Sequence, residues 1–112
     1  MKKVNWDLEE AVVLYDLYFR SGRTLKVAKN EIDILTCMYK KRAKDLGIVI
    51  DEKFRNYSGL RMQIGCIHYV VTCGKEGMSN ASKLFYDTYE LCKYEPEKFQ
   101  QILKEFYEKY SI

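Results

Sequence analysis

The sequence predicts a compact all-α domain of about five helices, and three observations support this fold class. The chain of 112 residues contains one proline and six glycines, the residues that most often interrupt helices. Apolar residues recur at steps of three and four along five segments, which is the spacing of one helix face. The apolar share is 47% and the charged share 31%, as in ordinary globular proteins. Residues 1–112 therefore fit a single helical domain.

The first helix is predicted from its capping residues. Asp7 is a favourable N-cap, and Glu10 follows three residues later, as in a capping box. Apolar residues at helical spacing follow, and the helix is expected over residues 7–20. The Ser21-Gly22 pair that comes next is expected to end it.

A second helix is predicted over residues 30–46, with Asn30 as its N-cap and Gly47 as its C-terminal cap. The β-branched residues 48–50 that follow are expected to form an extended connector or one very short strand. The alternative is a small hairpin in which these residues pair with residues 70–72.

Three further helices complete the prediction. The third is expected over residues 58–71, starting at Ser58. A fourth helix is expected to be capped by Ser79 or Asn80. Pro96 is suited to the first turn of a fifth helix, because its missing N–H group is not needed there.

Positive charge is concentrated in the middle of the chain. Residues 20–61 contain 11 basic and 5 acidic residues, a net charge of +6, whereas the whole chain carries +3. Residues 66–112 carry 6 basic and 7 acidic residues. This asymmetry favours an anionic partner such as nucleic acid. The alternative is an ordinary solvated lysine face.

The segment 54–62, with the sequence Phe-Arg-Asn-Tyr-Ser-Gly-Leu-Arg-Met, is the best candidate for a contact surface. Its Arg and Asn residues can bind phosphates and base edges, and they precede a predicted helix start, where free N–H groups attract anions. A basic group also closes the 30–46 helix, and packing of the two helices is expected to join both groups. The predicted nucleic-acid contacts are Lys41, Arg42, Lys44, Lys53, Arg55, Asn56, Tyr57 and Arg61.

A structural role is equally open for two of these residues. Arg55 and Asn56 carry several hydrogen-bonding groups and can tie the connector to helix carbonyls. Phe54 is expected in the core.

Residues suited to catalysis are sparse. The single histidine, His68, stands in an apolar stretch without a Ser or Cys partner by motif, and a core or edge position is its expected role. No glycine-rich phosphate loop with a Lys-Ser/Thr ending is present. We therefore expect no catalytic activity from this chain on its own, and no cofactor.

The four cysteines are expected to be reduced thiols on apolar helix faces: Cys37, Cys66, Cys73 and Cys92. Two of them flank His68, but their spacing matches none of the usual zinc patterns, so no metal site is expected.

The start of the sequence lacks the apolar run of a signal peptide, and no apolar run is long enough to cross a membrane. A cytoplasmic location follows as an expectation.

Three short motifs occur in the order Trp6-x2-Glu9-Glu10, Leu14-Tyr15-Asp16-Leu17-Tyr18 and Phe54-Arg55-Asn56-x2-Gly59-Leu60-x-Met62. In this order and spacing the chain resembles the N-terminal, non-catalytic domain of many bacterial His-Asn-His (HNH) restriction endonucleases. The resemblance covers most of the chain and implies a target-recognition or accessory module in defence against foreign DNA. It carries over Phe54, Arg55, Asn56 and Gly59 as signature positions. Because no nuclease domain is present, we expect either a domain excised from a larger chain or a free-standing protein.

The functional hypotheses fall into three classes. The first is a module that recognises duplex DNA, including DNA with modified bases. The second is a small inhibitor or adaptor from a phage or mobile element that binds a protein of bacterial immunity. It predicts an exposed aromatic patch with acidic neighbours, formed by Tyr86, Tyr89, Tyr94 and Tyr107 beside Glu90, Glu95 and Glu97. The third is a helical oligomerisation unit.

Overall fold

The computed structural model describes residues 4–111, and its regular structure within that range is entirely helical. The all-α prediction is confirmed. Residues 48–50 form a connector without regular secondary structure, and the hairpin alternative is wrong because residues 70–72 belong to the end of the third helix and its cap. The five helices are α1 (Leu8–Arg20), α2 (Lys29–Asp45), α3 (Tyr57–Val71), α4 (Lys83–Tyr94) and α5 (Pro96–Tyr110).

The start of α1 confirms the predicted capping box. The Asp7 carboxylate accepts a hydrogen bond from the Glu10 backbone N–H at 3.0 Å, and the Glu10 carboxylate accepts one from the Asp7 N–H at 3.2 Å. Two N–H groups that the helix itself leaves unpaired are thereby satisfied.

The predicted N-cap of α2 is wrong. Ala28 occupies that position, and its carbonyl already accepts from the Ile32 N–H at 3.2 Å, so Asn30 lies inside the first turn. The predicted C-terminal signal is confirmed. Gly47 adopts a φ of +71° and, together with the next residue, returns two N–H groups to the last turn, as in a Schellman motif.

The starts of α3 and α4 also differ from prediction. Asn56, not Ser58, caps α3, because its Oδ1 accepts from the Gly59 N–H at 2.9 Å. Neither Ser79 nor Asn80 caps α4, which begins after Ser82. The loop before α4 is held against α3, because the Met78 N–H donates to the Gly65 carbonyl at 3.1 Å. Pro96 opens α5 as predicted.

The core is built around α1, which packs against α3, α4 and α5, while α2 packs against α3 and α5. Aromatic side chains fill much of the core. The hydroxyls of two buried tyrosines form hydrogen bonds with backbone carbonyls that are distant in sequence. Tyr15 donates to the Phe85 carbonyl at 2.7 Å, and Tyr39 donates to the Glu10 carbonyl at 2.6 Å. Burial raises the pKa of both phenols above its usual value.

The connector between α2 and α3 carries three of the eight predicted contacts, Lys53, Arg55 and Asn56. The Thr36 hydroxyl of α2 donates to the Arg55 carbonyl at 2.7 Å, and the Lys40 ammonium donates to the Glu52 carbonyl at 3.2 Å. These bonds fasten the connector along α2. Phe54 is buried, as expected.

Candidate nucleic-acid interface

Arg55 lies inside the fold rather than on its surface. Its Nε donates to Glu10 Oε2 at 2.8 Å and its Nη2 to Glu10 Oε1 at 3.0 Å, which makes a bidentate ion pair. The two side chains are 8% and 2% exposed. Further bonds run from the guanidinium to the carbonyls of Val4 and Asn5. The group therefore holds the N-terminal segment and α1 to the connector.

Aromatic rings enclose the same guanidinium. Its central carbon lies 4.5 Å from the ring centroid of Trp6 and 4.5 Å from that of Phe54, so cation–π attraction adds to the ion pair. The Arg55 backbone has a φ of +46°, which is uncommon for a residue with a Cβ. This arrangement gives Arg55 the structural role and does not support a DNA contact through it.

Arg42 is engaged in a similar way at the start of α1. Its Nη2 lies 2.8 Å from Asp7 Oδ2 and its Nε lies 2.6 Å from Glu9 Oε1, with 12% of the side chain exposed. Burial lowers the pKa of this guanidinium, but the two carboxylates outweigh burial and leave the pKa raised. Arg42 thus joins α2 to α1 and offers little free charge to a partner.

Three predicted residues lie at the N-cap and in the first turns of α3. The Oδ1 of Asn56 accepts the hydrogen bond that caps α3. Arg61 donates to the carbonyls of Leu25 and Val27 at 2.8 and 3.2 Å. Tyr57 lies between two cations, 5.2 Å from the Lys29 ammonium and 5.6 Å from the Arg61 guanidinium.

The remaining predicted contacts are exposed lysines. Lys41, Lys44 and Lys53 all face solvent, and the lysine ion pairs among residues 4–111 involve other positions. The Lys40–Glu52 bond brings Lys53 next to α2, and Lys44 is one helical turn beyond Lys40. We call this set the lysine face: Lys40, Lys41, Lys44 and Lys53.

Two residues outside the predicted set prove central to the geometry. Glu10 was assigned only to the capping box, although it is also the partner of Arg55. Its spacing of four and seven residues from Leu14 and Leu17 put it on the inward side of α1, and a carboxylate on an apolar face requires a cation. Lys40 carried no signal that separated it from its neighbours.

A groove opens beside the lysine face, with a volume of about 780 Å³. It runs between the N-terminal segment, the connector and the beginnings of α3 and α4. Its lining mixes apolar and amide side chains, which include Trp6, Phe54, Asn56, Met62, Gln63 and Asn80.

His68 is a buried, hydrogen-bonded histidine, as expected. Its Nδ1 lies 2.7 Å from the Tyr18 hydroxyl, and its Nε2 lies 3.3 Å from Glu76 Oε1. Within residues 4–111 no three His, Cys, Asp or Glu side chains are grouped to hold a metal ion.

All four cysteines are free thiols. Cys66 is buried, and burial raises its pKa, which makes it a poor nucleophile. The expectation of apolar surroundings is wrong for Cys37 and Cys73, which are exposed. Cys37 points outward from α2, and Cys73 follows the cap of α3 with a φ of +56°.

The four tyrosines proposed as an exposed patch separate into two pairs. Tyr86 and Tyr94 are 42% and 75% exposed. Tyr89 instead stacks on the Tyr15 ring at 6.0 Å, and the Tyr107 hydroxyl donates to Asp16 at 3.1 Å. The second pair therefore belongs to the packing between helices.

Fold and site together define a five-helix domain with a solvent-facing lysine cluster next to a mixed apolar and amide groove. Comparisons of the chain with protein-family models, curated proteins and solved structures found no match. None of the described helices combines the length and the apolar character needed to cross a membrane.

Proposed function

We propose that this chain is a non-catalytic DNA-recognition module of a restriction or related anti-phage defence protein. The observation that supports it best is the lysine face, where Lys41, Lys44 and Lys53 extend into solvent without an internal ion pair among the described residues. Ammonium groups of this kind contact phosphates and release counterions. The resemblance to HNH-associated N-terminal domains points to the same class.

The geometry changes the roles proposed for the individual residues. Arg42 and Arg55 serve the fold, since carboxylates of α1 neutralise both. The exposed lysines supply affinity through the phosphate backbone, and that contact carries no sequence information by itself. Base recognition, if the module has any, therefore requires groups other than the Arg55 guanidinium.

Charge removal tests this function. We expect the triple variant Lys41→Gln, Lys44→Gln, Lys53→Gln to bind duplex DNA about tenfold more weakly or worse at moderate salt, measured by fluorescence anisotropy on duplexes with and without modified bases. The matched control is Lys98→Gln, Lys104→Gln, Lys109→Gln, which removes the same charge from α5. Equal losses in both variants, or no binding by the wild type at low salt, would contradict the proposal.

A second candidate function is a protein-binding inhibitor or adaptor of bacterial immunity. It is favoured by Leu46 and Val49, which are 53% and 76% exposed just after α2, since exposed apolar side chains are typical of protein contacts. A pull-down after nuclease treatment distinguishes the two functions. The inhibitor function is supported if a protein partner is still captured after the DNA has been digested. The lysine triple variant should also capture this partner, whereas Val49→Asp should not.

A further inference from the structure

We propose that the groove beside the lysine face accepts a single nucleobase that has left the DNA stack. This inference rests on the proposed function, because the lysine face holds the backbone from which the base turns out. The groove volume of about 780 Å³ falls within the range of about 300–1,000 Å³ found for small-molecule sites. The duplex itself is far too wide to enter it.

The apolar part of the lining suits the flat face of a base. Trp6 is only partly buried although the Arg55 guanidinium lies over its ring, and Met62, which also borders the groove, is 45% exposed. Aromatic rings stack on bases of any sequence, and a thioether makes favourable contacts with aromatic systems. Leu84 adds apolar surface from the start of α4.

The polar part of the lining suits the edge of a base. Four amide side chains line the groove: Asn5, Asn56, Gln63 and Asn80. Asn56 uses its oxygen for the α3 cap, and Asn80 uses its oxygen for the Cys66 thiol at 3.8 Å. Among the described residues these contacts leave the amide nitrogens of both as donors. Asn and Gln amides pair with base edges through a donor and an acceptor together, and Gln63, whose amide makes no hydrogen bond among the described residues, can offer both.

Charge continuity favours a nucleotide over an uncharged ligand. Lys53 borders the groove and also belongs to the lysine face, so a phosphate on Lys53 places its own base at the groove entrance. Arg55 forms part of the wall, but Glu10 neutralises its charge. The lining also includes the Asp51 carboxylate, so Lys53 is the cation available to a phosphate, and amides and apolar groups make up most of the rest.

Two duplexes that differ in one residue test the proposal. The first carries a single mismatched base, which costs less to extrude than a paired base. The second carries an abasic residue at the same position and another opposite it, so that the duplex is weakened there but offers no unpaired base. We expect the mismatched duplex to bind at least about tenfold more tightly. It should also quench the fluorescence of Trp6, the one tryptophan of the chain.

Gln63→Leu is expected to remove the mismatch preference and the quenching while the affinity for fully matched DNA stays unchanged. Gln100→Leu on the exposed side of α5 is the matched control and should retain both. Asn80→Ala provides a second groove variant. Equal affinity for the mismatched and abasic duplexes, or a preference that survives both groove variants, would overturn the proposal.

The inference and the proposed function fail separately. If matched DNA binds through the lysine face and mismatched DNA binds no more tightly, the proposed function is supported and the base site is refuted. If the wild type binds no duplex, adenosine is titrated against Trp6 fluorescence, with ribose 5-phosphate as the control. If adenosine quenches the Trp6 fluorescence and Gln63→Leu abolishes this quenching, the base site alone is supported. If adenosine does not quench the fluorescence, the base site is refuted.

Discussion

Arg55 has the properties of a nucleic-acid-binding residue in the sequence, but in the structure it makes buried contacts that hold the fold together. Its guanidinium forms a bidentate pair with Glu10 and is covered by the Trp6 ring. A buried pair adds little net stability over an apolar replacement, because both charges lose their hydration. Removal of one partner is costly, since the other charge then stays buried without compensation.

We therefore expect Arg55→Ala to lower the free energy of unfolding by about 3–5 kcal/mol, measured by urea denaturation. Arg20→Ala is the matched control, because the Arg20 side chain is 50% exposed in its pair with Asp16 and such pairs contribute at most about 1 kcal/mol. Joint replacement, Glu10→Leu with Arg55→Met, should cost less than Arg55→Ala alone. Similar losses for Arg55→Ala and Arg20→Ala would show that the buried pair is unimportant.

Buried tyrosines are expected to make the fold sensitive to alkali. Burial raises the pKa of Tyr15 above its usual 10.0, so above pH 10 the unfolded chain releases a proton that the folded chain keeps. Stability from this group is complete below pH 10 and declines as pH rises, by about 1.4 kcal/mol per pH unit for one proton.

Tyr15→Phe should therefore flatten the decline of unfolding free energy between about pH 10 and 11 by roughly that amount. Urea denaturation at a series of pH values measures the slope. Tyr94→Phe, at a side chain that is 75% exposed, should keep the wild-type slope. An unchanged slope in Tyr15→Phe would show that this phenol does not link pH to folding.

At the scale of elements, the loop before α4 is packed onto α3 by close backbone contact. The Met78 N–H donates to the Gly65 carbonyl at 3.1 Å inside α3. Gly77 has a φ of +96°, and a Cβ on it would lie 2.5 Å from the Gly65 carbonyl oxygen. Both the conformation and the space therefore require glycine here.

Gly77→Ala is expected to destabilise the fold by at least about 2 kcal/mol, through backbone strain and a steric clash together. Gly22→Ala separates these causes, because Gly22 also has a positive φ of +88° but has nothing within 4 Å of an added Cβ. It should cost about 1–2 kcal/mol, the strain alone. Equal urea midpoints for the two variants would contradict a tight loop contact.

The whole molecule carries a formal charge of only +3, so any electrostatic attraction to DNA depends on where the cations are. Two arginines of the basic central segment are neutralised inside the fold, while lysines on α2 and the connector face solvent. Affinity should therefore come from a small number of local contacts rather than from the net charge.

The salt dependence of DNA binding provides a quantitative test at this scale. Each phosphate contact contributes about 0.9 to the slope of log affinity against log salt. The variant Lys41→Gln, Lys44→Gln, Lys53→Gln should reduce that slope by about 2.7 if all three lysines contact phosphates. The α5 triple variant should leave the slope unchanged. The same slope in both variants would place the DNA elsewhere.

Local signals predicted most of the elements. The periodic apolar residues identified all five helices, and Asp7, Gly47 and Pro96 marked three boundaries that the structure confirms. The N-caps of α2, α3 and α4 lie two or three residues from the predicted positions. The cap is the residue that adopts extended backbone geometry, here Ala28, Asn56 and Ser82, and side-chain type alone does not determine that geometry.

The sequence by itself determined the amphipathic helices and the supply of cations, because helical periodicity and charge are local properties of the chain. Only the tertiary structure decided which cations remain free. Arg55 meets Glu10 across 45 positions and Arg42 meets Glu9 across 33, and no local pattern specifies such pairs. The division between buried guanidiniums and exposed lysines thus arises from packing, since a charge can leave water only where a distant partner compensates it.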